Sequence, residues 1–406
     1  MTMQIQPILA ALRRHRLATL LIALEIALAC AVLCNACFLI ISRLQLTRVN
    51  SGVDESSLAS LKLTGYDETS GVDLNSRVLS GLRAIPGMQS VSVVNEVPFG
   101  EHAGTAGITL DAAGQHKGGV VEFYVGGPGS FQALGLKLIS GRAPEPDDYQ
   151  PITSFVPAEG SVLVTSVLAR HLWPDADPLG KEFWCDKFHF RVVGVVAHLA
   201  RPSGGEGGPD TIEWSVFAPA QPGKNLAGMY LLRADPAQLS RVLRDARASI
   251  AKIAPDAVVD LPSSQTIVEL RSGYFQQDRA MAGMLVGVIV ALLLVTALGI
   301  VGLASFWVQQ RRRQIGIRRA IGATRGDILR YFQTENFLIV SFGIALGMVL
   351  AFGLNVMLMK FYELPHLPLY YLPIGALVLW ALGQLAVLGP ALRAAAVPPV
   401  VATRSV

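Results

Sequence analysis

Cysteine and charge are both scarce in this sequence. The 406 residues include four cysteines, and 16% of the residues are charged. Three of the cysteines share one apolar segment, which leaves Cys185 alone in the more polar part of the chain. A lone cysteine cannot form an internal disulfide, so we expect that part to be stabilised by a hydrophobic core.

The sequence also lacks the motifs of an enzyme that hydrolyses ATP. A Walker A loop needs a lysine and a serine or threonine after its last glycine, and no glycine-rich stretch here has them. The stretch PSGGEGGPD at residues 202–210 is instead predicted to be a flexible loop. A serine elbow, a catalytic triad and a credible pair of catalytic carboxylates are missing too. We therefore expect no catalytic residue and no cofactor site in this chain.

The cysteines and histidines do not predict a metal site. Cys30, Cys34 and Cys37 have the spacing of a radical-SAM iron–sulfur motif, but they lie within an apolar segment and no glycine-rich strand follows. Cysteine packs as a small apolar residue in membrane helices, and we predict that role here. Five histidines lack zinc-like spacing with a third ligand nearby. They are His102, His116, His171, His189 and His198.

Long apolar runs are abundant. The chain is 51% hydrophobic with a mean hydropathy of +0.44, and a membrane-spanning helix needs about 20 consecutive apolar residues. Four segments qualify, and we predict spans at residues 17–41, 280–308 (a stalk and the second span), 332–360 and 369–392. The first run has no cleavage site after it and is too long for a signal peptide, so we expect a retained anchor.

Arginines define the orientation of these spans. Basic residues mark the cytoplasmic side of a membrane, and they flank the first span at Arg13, Arg14 and Arg16 and follow the second at residues 311–330. A chain that leaves the cytoplasmic side and returns to it crosses the membrane an even number of times. The first two spans therefore enclose residues 42–279, which are predicted to lie outside. The tip at residues 1–16 and the tail at 393–406 are then cytoplasmic, and residues 361–368 form a short external turn.

The external segment is predicted to be a mixed α and β domain. Residues 89–97, 120–125 and 191–197 alternate or are rich in β-branched residues, as strands are. Residues 74–84 and 236–253 have helical spacing. The predicted fold class is a membrane protein with four transmembrane α-helices and a large extracytoplasmic mixed α+β domain inserted between helices 1 and 2.

The segment at residues 309–331 is densely basic. It contains seven arginines and one acid, Asp327. The spacing of its apolar positions predicts an amphipathic helix with one apolar and one basic face. Those positions are Ile317, Ala320, Ile321, Thr324 and Ile328. Such a helix lies on acidic lipid or docks into the groove of a partner protein, and the pattern by itself leaves both interpretations open.

Polar and small residues inside the spans are a further signal. Glu25 lies in the first span, where a carboxylate is costly. It either contacts another helix, for example through Gln384 or a partner subunit, or it lies near the lipid head groups. Two pairs of glycines four residues apart permit close helix approach. The pairs are Gly283 with Gly287 and Gly343 with Gly347.

Several longer motifs resemble one family. The motifs are QIGIRRAIGATRGDIL after the second span, PALRAAAVPPVVATR at the end, and FYVGGPGSFQALGLKLISGRAP, SVLVTSVLARHLWPDADPLGKEFW and FRVVGVVA in the external part. They are similar to segments of permease subunits of MacB/FtsX-type ABC transporters. This resemblance implies a bacterial inner-membrane protein whose domain at residues 42–279 is periplasmic and has two lobes. It also implies a separate cytoplasmic ATPase dimer, which would bind the ATP and Mg²⁺.

The resemblance further implies a role in mechanotransmission. The family's coupling element to the ATPase corresponds here to residues Arg311, Arg312, Arg313, Gln314, Ile315, Gly316, Ile317, Arg318, Arg319, Ala320, Gly322 and Ala323. The expected function is export or relay of an amphipathic cargo such as a peptide, a lipid-linked molecule or a toxic small molecule. Alternatives are an FtsX-like regulator that activates a periplasmic cell-wall hydrolase, and lipoprotein extraction. Expected partners are the ATPase, a second permease, a periplasmic adaptor, an outer-membrane channel and membrane lipid, but no nucleic acid.

Three positions depart from the family pattern. Gln314 stands where the family usually has an acidic residue, Ala396 where it often has a basic one, and Pro398 where it often has an acidic one. A homodimer would lack these charged groups in both copies. We therefore hypothesise that the second permease is a different chain that retains them.

Overall fold

The computed structural model describes residues 16–101, 103–152, 154–202, 211–362 and 367–398. Parts of the predicted cytoplasmic tip, of the glycine-rich loop, of the external turn and of the tail lie outside these residues, as does His102. The chain divides into two compact units. We call Met1–Gln45 with Asp278–Val406 the membrane unit and Leu46–Gln277 the inserted domain.

Ten α-helices and eleven strands occur in the described part of the chain. The helices are α1 (Arg16–Leu46), α2 (Gly71–Arg83), α3 (Ser130–Leu134), α4 (Ser166–Leu172), α5 (Leu239–Ile253), α6 (Ile267–Tyr274), α7 (Gln276–Gln310), α8 (Arg312–Ala320), α9 (Arg325–Tyr362) and α10 (Tyr371–Ala395). The strands are β1 (Leu58–Thr64), β2 (Met88–Val93), β3 (Thr105–Thr109), β4 (Lys117–Gly126), β5 (Leu138–Gly141), β6 (Glu159–Thr165), β7 (Glu182–Cys185), β8 (Phe188–Val196), β9 (Ser215–Pro219), β10 (Met229–Ala234) and β11 (Val258–Asp260).

Four helices of the membrane unit are long and apolar enough to cross a bilayer: α1, α7, α9 and α10. They share a core of buried apolar side chains from all four helices, among them Ile26, Ile300, Val340 and Leu379. A polar exception, Asn35 of α1, donates from Nδ2 to the carbonyl oxygen of Ala351 in α9 at 3.1 Å. This bond satisfies a buried amide and ties α1 to α9, as expected where no water can replace the partner.

The first sheet of the inserted domain has four antiparallel strands in the order β11-β1-β10-β2. Helices α2 and α5 contribute their apolar faces to its core. Leu74, Val78 and Leu82 recur at helical spacing on α2, and Val242 and Ala246 do so on α5. All five side chains are fully buried. The hydrophobic effect of this burial stabilises the layer in which two helices cover one face of the sheet.

The second sheet has seven strands in the order β5-β8-β6-β9-β4-β3-β7, and β7 also pairs with β8. Six of the strands therefore form a closed ring, while β5 extends β8 on one side. Phe123, Phe183 and Phe190 are fully buried and pack ring against ring, with centroids 5.3–5.5 Å apart. Ring closure leaves few free strand edges, which protects a β structure from pairing with other chains.

The predicted fold class is confirmed, since four membrane-competent helices accompany a mixed α/β domain between the first and second of them. Strand β2 ends at Val93, earlier than the predicted 97, because the Asn95 amide bonds the carbonyl oxygens of Ala103 and Phe123 and turns the chain. Helix α5 begins at Leu239, because the Asp235 carboxylate accepts the Ala237 N–H and holds a turn there.

An ion pair in the inserted domain generates a prediction about pH. Asp148 is buried and accepts bonds from Arg142, which lowers the pKa of Asp148 to about 2. Because the folded pKa lies below the unfolded value, this interaction stabilises the fold above pH 4, and the stabilisation is lost as pH falls towards 2. We expect Asp148→Asn to lower the melting temperature of the detergent-purified chain near neutral pH, with a difference that shrinks on acidification.

The control for this prediction is Asp147→Asn, which changes an exposed neighbour of the same type. It should melt like the unaltered chain across the pH range. A difference between Asp148→Asn and the unaltered chain that stayed constant from neutral to acid pH would contradict the assigned ion pair.

Candidate functional site

The candidate site is α8 and the turn that follows it. One residue, Arg311, separates the end of α7 from the start of α8, and α9 begins at Arg325. The Gly322 backbone has a φ of +106°, a conformation that residues with a Cβ rarely adopt. The Ala323 N–H donates to the Arg318 carbonyl oxygen and the Gly322 N–H to that of Arg319, so the end of α8 is closed by a Schellman motif.

The next helix has its own start signal. The Thr324 hydroxyl accepts the Asp327 N–H at 3.2 Å, and the Asp327 carboxylate accepts the Thr324 N–H at 2.9 Å. This reciprocal pair is a capping box, which favours a helix start at Arg325. The prediction of a single amphipathic helix through Ile328 is therefore wrong, because a helix end and a helix start lie within the segment.

The break separates two sets of apolar side chains. Ile315 and Ile328 are buried, together with Phe332, against the ends of α7 and α10. Ile317 is 42% exposed and Ile321 83% exposed. The predicted apolar face is therefore divided: Ile328 faces the protein, while Ile317 and Ile321 face outward.

A buried ion pair holds the start of α8. Arg311 Nη1 lies 2.9 Å from both carboxylate oxygens of Glu335 in α9. The side chain of Glu335 is 2% exposed and that of Arg311 is 12% exposed. The guanidinium also lies over the Trp307 ring, 5.6 Å from its centroid. Charged hydrogen bonds of this kind are strong, and they fix the residue between α7 and α8 to α9.

Glu335 was missed by the sequence analysis, although a signal existed. It is an acidic residue inside the third predicted span, 332–360, and an intramembrane carboxylate nearly always has a partner. The same reasoning drew attention to Glu25. Applied to Glu335, it would have pointed to one of the seven nearby arginines.

Other arginines of the segment have different surroundings. Arg319 Nη1 donates to the Ala395 carbonyl oxygen at the end of α10, at 3.2 Å. Arg318 lies over the Tyr331 ring, 4.9 Å from its centroid. Arg312, Arg313 and Gln314 are exposed, whereas Gly316 is buried and Ala320 is exposed. The predicted coupling residues thus divide into those that fix α8 to the other helices and those that face outward.

Glu25 contacts the second span. A Cβ added at Gly299 of α7 would lie 2.7 Å from Glu25 Oε2, so the missing side chain at Gly299 makes room for the carboxylate. Oε1 has no hydrogen-bond partner among the described residues. The contact considered with Gln384 is not made, because Gln384 donates instead to the Gln333 carbonyl oxygen at 3.5 Å.

The two glycine pairs have different environments. A Cβ at Gly343 would lie 2.8 Å from Cβ of Ile26, and one at Gly347 would lie 2.5 Å from Cβ of Cys30. These two glycines allow α9 to approach α1 closely. At Gly283 and Gly287 of α7, an added Cβ would have no described atom within 4 Å.

The cysteines and histidines form no metal cluster in the described part of the chain. Cys30 and Cys34 are buried in the core of the membrane unit, and the Cys34 thiol donates to the Tyr371 carbonyl oxygen at 3.8 Å. In the inserted domain, His198 Nδ1 lies 3.0 Å from the Glu213 carboxylate, and His189 Nε2 lies 3.2 Å from the Glu182 carboxylate. Each of these histidines thus lies close to one carboxylate.

Comparison with known proteins identifies relatives of this chain. Residues 286–399 match the family model described as FtsX-like permease C-terminal. The chain is similar to the macrolide export ATP-binding/permease protein MacB of Chromobacterium violaceum, with 26% identity over 55% of this chain and 34% of the relative. It is 31% identical to MacB of Chlorobaculum tepidum over 50% of this chain and 32% of that protein. It thus spans about a third of the length of these relatives.

A solved structure is also similar in part. The periplasmic region of MacB from Actinobacillus actinomycetemcomitans has 15% sequence identity and a TM-score of 0.35, and the match covers 53% of this chain and 92% of that one.

The buried ion pair generates a prediction about stability. Glu335→Gln leaves the Arg311 charge without its counter-ion in a buried position, and we expect a loss of about 3–5 kcal/mol. The double change Arg311→Met with Glu335→Leu removes both charges and should restore most of that stability. Thermal unfolding of the purified chain in detergent measures both effects.

A matched control is Asp327→Asn, which removes an exposed acid near the same turn and should cost much less, because it only weakens a cap. If Glu335→Gln were no more harmful than Asp327→Asn, the ion pair would not stabilise the fold as described.

Proposed function

We propose that this chain, which resembles ABC permeases of the MacB/FtsX type, is the membrane subunit of a transporter whose ATPase is a separate cytoplasmic dimer. ATP binding and hydrolysis in that dimer would move the inserted domain, which lies in the periplasm. The function of this movement is export or relay of an amphipathic cargo such as a peptide, a lipid-linked molecule or a toxic small molecule.

The observation that carries this proposal is the outward presentation of Ile317 and Ile321. An exposed pair of large apolar side chains on a short, well-fixed helix is a surface suited to a partner's groove. Arg312 and Arg313 flank this surface and are exposed as well. The chemistry fits an apolar groove with an acidic rim on the ATPase, since opposite charges at the rim favour association.

The contacts that hold both ends of α8 support a mechanical role. Arg311 links its start to α9 through Glu335, and Arg319 links its end to α10 through the Ala395 carbonyl oxygen. A push on α8 is therefore passed to two membrane helices at once. The proposed switch needs two packed arrangements that nucleotide binding favours unequally, and a helix held at both ends can move only with its neighbours.

The proposed location is the bacterial inner membrane, and the proposed second permease is a different chain. Gln314, Ala396 and Pro398 are exposed, so the charged groups that the family often carries there would face a partner. A periplasmic adaptor and an outer-membrane channel complete the proposed assembly. The relatives are named for macrolide export, and the cargo proposed here is the wider amphipathic class. No observation specifically favours the regulatory role or lipoprotein extraction.

The docking surface is tested by Ile317→Ser combined with Ile321→Ser. Loss of the two apolar contacts should reduce recovery of the ATPase at least about tenfold, which corresponds to about 1.4 kcal/mol. The measurement is a mild-detergent pull-down from the native host with quantitative mass spectrometry. Val258→Ser with Leu261→Ser is the control, because it changes equally exposed side chains of the inserted domain. Undiminished ATPase recovery with the α8 variant would refute the docking role.

The same pull-down tests the second permease. We expect a non-identical permease with acidic or basic residues at the positions of Gln314, Ala396 and Pro398 to co-purify when no partner is overexpressed. Differently tagged copies of this chain should then fail to capture each other. A symmetric assembly with two copies of this chain would contradict the hypothesis.

A further inference from the structure

Two short segments connect the inserted domain to the membrane helices, and one arginine of the domain reaches the first of them. The segments are residues 46–49, which start at the last residue of α1, and residues 275–277, which lead into α7. Arg271 of α6 donates from Nη2 to the carbonyl oxygens of Thr47 at 2.9 Å and of Val49 at 2.6 Å. Its side chain thus holds the backbone of the segment that enters the domain.

The other terminal nitrogen of the same guanidinium extends this contact. Arg271 Nη1 lies 2.5 Å from Glu55 Oε1, which also accepts the Ser51 hydroxyl. The side chains of Arg271 and Glu55 are 25% and 19% exposed, so solvent screens this ion pair only in part. Two carbonyls and one carboxylate therefore fix the first ten residues of the domain to α6.

The face of the guanidinium contacts the second connection. Its carbon lies 5.1 Å from the ring centroid of Phe99 and 6.0 Å from that of Phe275, the residue between α6 and α7. The two rings pack edge to face at 5.7 Å, and both side chains are 4% exposed. Phe99 has a φ of +63°, a costly conformation for a bulky residue, so its position is imposed by its surroundings.

An arginine side chain can make both kinds of contact at once, the hydrogen bonds to the first connection and the stacking at the second. Its planar group donates several hydrogen bonds along its edge while its face stacks on aromatic rings, whereas a lysine ammonium is a compact point charge. The membrane unit has a separate link between the same two helices, because Arg43 of α1 pairs with Asp278 of α7 at 3.2 Å. Each unit therefore joins its two chain connections through an arginine.

We propose that Arg271 is a positioning residue that joins both chain connections to the body of the inserted domain, so that movements of α1 and α7 displace the domain as one rigid body. Without the guanidinium, the segment at residues 46–50 would hinge and absorb the movement, because Ser51 and Asp54 have further bonds to the domain. The link itself is independent of any partner, and its use in transmission rests on the proposed function.

The test measures a distance within the inserted domain. Spin labels replace Arg48, in the first connection, and Val258, on the four-stranded sheet, both of which are exposed. Double electron–electron resonance is recorded on the full chain in nanodiscs. Arg271→Gln should broaden the distance distribution about twofold, because the connection opens locally. Arg271→Lys should broaden it less, because the charge and some of the donors remain.

The control is Arg142→Gln. Arg142 also bonds one carboxylate, of Asp148, and one carbonyl, of Ala143, and neither residue lies in the segment that follows α1. It should lower the melting temperature as Arg271→Gln does, while the distance distribution stays narrow. An unchanged distribution in Arg271→Gln, or equal broadening in Arg142→Gln, would overturn the proposal.

A second arm tests transmission in the complex purified with its ATPase. On trapping with ATP and vanadate, the distance between the two labels should stay constant in the unaltered chain and shift in Arg271→Gln. A constant distance in Arg271→Gln would contradict the transmission role. Failure to recover an ATPase would count against the proposed function alone, since the first arm needs no partner.

Discussion

A charged group buried among membrane helices must have a partner, and the Arg311–Glu335 pair meets this requirement at the place where the chain turns. The pair fixes the residue between α7 and α8 to α9, and the Trp307 ring covers the guanidinium. Burial of both charges makes the geometry hard to change, because either group alone would face apolar surroundings. The pair holds the start of α8, the helix that presents Ile317 outward.

Arginine recurs at the other chain turns for a related physical reason. Arg319 binds a carbonyl oxygen at the end of α10, and Arg43 pairs with Asp278 between α1 and α7. Arg271 binds three acceptors and two aromatic rings in the inserted domain. Helix ends expose carbonyl oxygens that lack partners within the helix, and a guanidinium can serve several acceptors at once. The structure thus places its long cationic side chains where elements must be held together and not only where a membrane surface would attract them.

Structural features that depend on one local property of the sequence were predicted well. Apolar runs of sufficient length gave the four membrane helices, and the family resemblance is confirmed by the relatives. The predicted amphipathic helix failed for an identifiable reason. Helical spacing from Ile317 to Ile328 assumed a continuous backbone, yet Gly322 ends one helix and the capping box of Thr324 and Asp327 starts another. The sequence does contain a helix-end signal, Gly322, and a helix-start signal, Thr324 three residues before Asp327. The prediction gave more weight to the helical spacing of the apolar residues.

The sequence by itself determined which segments can lie in a membrane, which parts are basic and which family the chain resembles, because hydropathy, charge and motifs are properties of residues near each other in the chain. Only the tertiary structure decided the partners of individual groups. Glu335 meets Arg311, Glu25 lies against Gly299 while Gln384 bonds to Gln333, and Arg271 reaches Thr47 across more than two hundred residues. These contacts depend on how helices and sheets pack, and packing follows from the fit of many side chains at once.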